Sequence, residues 1–224
     1  PGHSEDEYVE LYNPTNLPID FGPDWVLYSE TDNSPRITLT GSIGAGEYFL
    51  IERKNIDETY EPTQSPVKDV AADMWVSFSF GLNNSGEYLK LARASSTIDE
   101  VDKWQAGRSG SDSLTMERFR ASLLGTDPDN WASNNYDIRN GMTVDDIEIR
   151  GTPKAKNSVS YQITTKDYID SDMTIAKNLG PYLIPDEFFT IKEGSTVIVD
   201  PGAIIKFSHG DGGRIYVEGV LKAE

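Results

Sequence analysis

The sequence predicts an all-β chain in two parts: an antiparallel β-sandwich over residues 1–157, then the start of a parallel β-helix, or solenoid, over residues 158–224. Three observations predict it. Apolar and polar residues alternate with period two through the first part, as in Val9/Leu11, Ile37/Leu39, Leu89/Leu91 and Ile147/Ile149, which turns one face of each strand to a core. No helical period runs long enough for an amphipathic helix. After Asn157 the apolar runs shorten to four or five residues at even spacing, each followed by a glycine-bearing turn.

In chain order, Tyr8-Val9-Glu10-Leu11-Tyr12 reads as a strand that stops at Asn13-Pro14, because proline cannot donate to a ladder and restricts the residue before it. Leu17-Pro18-Ile19-Asp20 and Trp25-Val26-Leu27 continue in extended form. Gly41-Ser42-Ile43-Gly44-Ala45-Gly46 reads as a glycine-rich turn leading into Glu47-Tyr48-Phe49-Leu50-Ile51. Residues 52–69, with Pro62 and Pro66, form a long excursion for a compact domain and read as a surface loop. Short helical turns are expected around Val70 to Met74 and Ser122 to Leu124. A hairpin is expected from Gly86-Glu87-Tyr88-Leu89-Lys90-Leu91 and Ile98-Asp99-Glu100-Val101, and Leu114-Thr115-Met116-Glu117-Arg118 follows with Trp131. The expected core of this part is Val9, Leu11, Trp25, Leu27, Phe49, Ile51, Leu89, Leu91 and Trp131.

These segments, ending at Gly151-Thr152-Pro153 with Asn157, resemble in their order the lamin tail domains, small immunoglobulin-like β-sandwiches of nuclear lamins and of many prokaryotic surface or secreted proteins. The resemblance covers about two thirds of the chain. It departs at Lys154, where the family usually has a further glycine, and in lacking the family's strand ahead of Tyr8. It implies an immunoglobulin-like module rather than a catalyst, and an extracellular or cell-surface location.

The second part is read from Phe188-Phe189-Thr190-Ile191, Thr196-Val197-Ile198-Val199, Ala203 to Phe207, Arg214-Ile215-Tyr216-Val217 and Val220-Leu221. The breaks between them are Glu193-Gly194, Pro201-Gly202, Gly210-Asp211-Gly212-Gly213 and Glu218-Gly219. Short strands spaced this evenly fit a right-handed parallel β-helix, whose coils bury apolar faces only by stacking on a neighbour. With Pro181-Tyr182-Leu183-Ile184 they resemble the first coils of β-helices in bacterial surface proteins. Residues 158–179 read as the join, with Tyr161 and Ile163 as apolar positions. The repeat is expected to continue past Glu224, leaving a coil edge open to self-association.

Composition narrows the function classes. The chain has 224 residues, 37% of them hydrophobic, which suffices for one large or two small domains. No apolar run approaches the ~18 residues of a membrane span, so no membrane insertion is expected. The absence of cysteine excludes disulfides, thiolate zinc and a cysteine nucleophile. A formal charge of −17 repels polyanions, so nucleic acid is not an expected partner. Arg118, Arg120, Arg150, Lys154 and Lys156 read as a solvated basic patch.

The residues of chemistry are sparse. His3 and His209, the latter near Asp211, supply no triad, and no phosphate-binding glycine loop is present. Carboxylates are plentiful, so any chosen pair carries little weight as a glycosidase acid and base. Three clusters carry hard-oxygen donors of the kind calcium takes: Asp99/Glu100/Asp102, Asp145/Asp146/Glu148, and Asp127-Pro128-Asp129-Asn130. The last is the calcium candidate, with Asp127, Asp129 and Asn130 as ligands, against the plainer reading of a turn that introduces Trp131. Glu117-Arg118 reads as a cross-strand or sheet-rim ion pair. Trp75 and Trp104 flank loops, where a ring can serve binding.

The resulting expectation is a non-enzymatic structural or interaction module of a large secreted or cell-surface prokaryotic protein, with a protein or a cell-surface glycan as partner and no cofactor apart from calcium. The alternative is an accessory carbohydrate-binding region of a polysaccharide-active β-helix enzyme.

Overall fold

The computed structural model describes residues 7–53, 67–76, 81–83, 86–102, 114–134, 139–143, 146–161, 163, 167–176, 182–184, 188–207 and 213–223, without the side chains of Asp129, Tyr161 and Leu183. The chain divides into two compact units, Pro1–Asn157 and Ser158–Glu224. Among the described residues there is no α-helix.

The first unit contains β1 (Tyr8–Tyr12), β2 (Ile19–Phe21), β3 (Trp25–Ser29), β4 (Arg36–Thr38), β5 (Gly41–Ile43), β6 (Tyr48–Arg53), β7 (Met74–Val76), β8 (Leu89–Arg93), β9 (Ser96–Val101), β10 (Met116–Arg118) and β11 (Trp131–Ser133). A four-stranded sheet runs β4-β3-β8-β9 and a three-stranded one β1-β6-β7, with the small pairs β2-β5 and β10-β11 beside them. Both larger sheets feed one core. Trp25 and Leu27 of β3, Ile37 of β4 and Leu89 of β8 pack with Phe49 and Ile51 of β6. Phe21 braces this core, edge-on to both Trp25 and Phe49, with ring centroids 5.3 and 4.9 Å away. Val9, Leu11 and Leu91 lie partly buried against the same cluster. Burying each such side chain contributes roughly 1.5–3 kcal/mol, and that gain rather than strand propensity decides which face turns inward.

Several expectations are corrected here. The first unit is not wholly antiparallel, because β7 pairs parallel to β6, with Ile51 opposite Met74. A parallel neighbour requires a long crossover, and the sequence between Arg53 and Met74 is long enough for one; of the loop expected over residues 52–69, Glu52 and Arg53 belong to β6 and residues 54–66 lie outside the described residues. Val70 to Met74 is accordingly a turn entering a strand, and Ser122 to Leu124 is a turn rather than helix. Trp131 is half-buried outside the core. Ile147 is 63% exposed while Ile149 is buried, because an isolated bridge, Met142 to Glu148, stands where a strand was expected. Register also shifts between Leu91 and Ala92 on β8, where Ile98 of β9 is the extra residue and points to solvent.

The second unit is a β-solenoid. It contains β12 (Tyr168–Ile169), β13 (Met173–Ile175), β14 (Tyr182–Ile184), β15 (Phe188–Ile191), β16 (Thr196–Val199), β17 (Ile205–Phe207), β18 (Arg214–Val217) and β19 (Val220–Ala223). They stack as β12-β15-β18, β13-β16-β19 and β14-β17, every pairing parallel. Like therefore sits on like: Ile169 under Ile191 under Val217, and Ile175 under Val199 under Ala223. The interior is Ile169, Ile175, Ile184, Phe189, Ile191 and Val197, with Ile163 and Tyr182 completing it. Ser158–Tyr161, at the start of the expected join, is a 3-10 turn.

The turns explain two glycines. At Gly219 an added Cβ would lie 2.4 Å from the carbonyl oxygens of both Lys192 and Ser195, so the coil can seat on the one below only without a side chain. Gly194, at φ +85°, makes the corresponding turn one coil earlier in the left-handed region that glycine adopts at least cost.

Candidate functional site

On the outer face of the β12-β15-β18 sheet, alternation places Phe188 and Thr190 outward while Phe189 and Ile191 point in. Parallel register then builds rows across coils. Tyr168, Thr190 and Tyr216 are aligned in one row, and Phe188 and Arg214 in the next. Phe188 is 47% exposed and Tyr216 48%. Their rings meet edge to face, centroids 6.2 Å apart at 74°, and so form a corner rather than a flat platform. Phe188, Thr190, Tyr216, Val217 and Glu218 line an open depression of about 400 Å³. At its edge the Lys192 ammonium lies 3.6 Å from the Glu218 carboxylate and 5.8 Å from the centre of the Tyr168 ring.

The first unit holds a second cluster of polar groups, inside rather than outside. Glu117 of β10 is buried and accepts hydrogen bonds from Asn134 Nδ2 at 2.8 Å and Thr152 Oγ1 at 2.9 Å. Glu10 of β1 accepts the Lys154 backbone N–H, while the Lys154 ammonium pairs with Asp73. Burial pushes the Glu10 carboxyl up to about 8, opposed by the Lys154 N–H and charge and reinforced by Glu117 and Asp73. The Tyr8 phenol is raised as well, first by burial and then by the Glu10 and Glu117 charges. Gly151 meets this tyrosine so closely that a Cβ there would lie 2.4 Å from its hydroxyl. The cluster knits β1 to the closing segment, each of these contacts satisfying a neighbour within the fold.

Comparisons with protein-family models, with curated proteins and with solved structures find no match. What the site can do therefore rests on its residues.

The calcium candidate lies at the 3-10 turn Pro128–Asn130. Asn130 is fully buried and its amide is occupied by backbone: Oδ1 accepts the Arg120 N–H at 2.9 Å, and Nδ2 donates to the carbonyls of Arg120 and Leu124. Asp127 is half-buried and its carbonyl accepts the Asn130 N–H, closing the turn. The side chain of Asp129 lies outside the described residues. Among the described residues no group of three or more His, Asp or Glu could hold a metal ion. The other acidic clusters are taken up by cations instead. Asp99 pairs with Arg118, Glu100 with Lys90 and the Tyr88 hydroxyl, Asp146 with Lys68, and Glu148 with Arg139.

Glu117 and Arg118 do not pair with each other, as adjacent strand residues point to opposite faces. Arg118 lies instead over the Trp131 ring directly across the β10-β11 pair, 5.6 Å from its centre, and the Trp131 indole N–H donates to the Gly125 carbonyl at 2.8 Å. Trp75 is 41% exposed. His3, Trp104, Asp145, His209 and Asp211 lie outside the described residues.

Sequence reasoning missed the Phe188/Tyr216 corner and the inner Glu10 cluster. A signal existed for the first, since outward aromatics recurring at about one coil's length stack in a solenoid. Coil length is uneven here: Tyr168 aligns with Thr190, 22 residues on, and Phe188 with Arg214, 26 residues on. Without that offset the row cannot be read.

Proposed function

We propose that this chain is a non-enzymatic interaction module of an extracellular or cell-surface protein. Its first unit serves as an immunoglobulin-like sandwich akin to lamin tail domains, and its β-solenoid carries the recognition surface. The observation that carries this reading is the outward Phe188/Tyr216 corner on the solenoid, with charged and hydroxyl groups around it. Large aromatic rings left half in water on a stacked sheet contribute nothing to the solenoid's own core, whereas they supply contact area at low entropic cost when a partner covers them. The formal charge of −17 favours partners other than nucleic acid. The lack of cysteine and the family resemblance support an exported protein.

The test is co-sedimentation of the purified chain with bacterial cell-envelope and extracellular-matrix preparations, alongside turnover assays on polysaccharides and nucleic acids. Saturable sedimentation without turnover is expected. Release of reducing ends or nucleotides, abolished by a point substitution in the chain, would replace this reading with that of an enzyme.

A further inference from the structure

We draw no further inference here: the strongest candidate, the apolar surface that Val217, Val220 and Leu221 expose on the last coil of the solenoid, carries none because nothing in the structure shows what covers it.

Discussion

Glu10 accepts a hydrogen bond from the backbone N–H of Lys154, a residue 144 positions later in the chain. Lys154 sits at φ +57°, in the left-handed region where glycine is at ease. Its ammonium reaches Asp73, so one residue ties the first strand and the segment before β7 to the end of the first unit.

Glu10 makes stability depend on pH. Its carboxyl is raised from the ordinary 4.5 to about 8, so between those values the folded chain keeps a proton that the unfolded chain has lost. Stability from this group is therefore full below about 4.5, falls as pH rises to about 8, and is flat above it. The groups facing it are Lys154, Glu117, Asp73 and the Tyr8 hydroxyl. Glu10→Gln keeps an acceptor for the Lys154 N–H without a charge. Melting curves from pH 4 to 9 should show its advantage over the parent growing with pH; parallel curves would refute the assignment.

Gly151→Ala should destabilise the first unit by about 1–3 kcal/mol, the usual cost of overpacking, because the new methyl meets the Tyr8 hydroxyl and the Thr115 side chain. Gly81→Ala is the control, as among the described residues nothing lies within 4 Å of its Cβ position. Urea midpoints of the two variants should differ; equal midpoints would mean the close approach relaxes freely.

Ala94 occupies the first position of the two-residue turn between β8 and β9 at φ +52°. Only this one of the two central residues has positive φ, the pattern of a type II′ turn, which prefers glycine there. Ala94→Gly should raise stability by about 0.5–1 kcal/mol, the left-handed penalty relieved less the added unfolded-chain entropy. A lowered melting temperature would count against the turn assignment.

At the Asp127 to Asn130 turn, millimolar calcium should leave the melting temperature nearly unchanged, since the Asn130 amide is spent on backbone groups. Asn130→Ala should cost about 1–3 kcal/mol by orphaning the Arg120 N–H, while the Arg120 and Leu124 carbonyls keep the N–H groups of Leu123 and Asp127. A large, saturable calcium shift removed by Asp129→Ala would reverse this assignment.

In the solenoid, β16 lies between β13 and β19, whereas β19 pairs on one side only among the described residues. Amide exchange should therefore be slower for β16 than for β19. Equal protection of the two would show that a second strand covers β19, as in self-association through that edge.

Much of the architecture was legible in local pattern. Phe188–Ile191, Thr196–Val199 and Arg214–Val217 are strands over the residues read from sequence, because four-residue apolar runs closed by glycine turns leave the chain few other ways to bury them. Tyr8–Tyr12 likewise ends where expected, but by more than the proline. Asn13 is buried and pins the corner, its amide bonded to the Leu17 and Gly44 carbonyls and to the Thr15 N–H. A polar residue before proline reads as surface turn, and nothing local marks it as buried.

The sequence by itself determined the strand-rich class, the inward faces of β3 and β6, the absence of cysteine chemistry and the sign of the surface charge, since each depends on residue type and on spacings shorter than one strand. Only the tertiary structure decided the parallel β6-β7 pairing, the departure of Trp131 from the core, the Glu10 to Lys154 contact and the Phe188/Tyr216 corner. These join residues from 23 to 144 positions apart by register and burial. Such energies exist only once distant segments have met, and no local period encodes them.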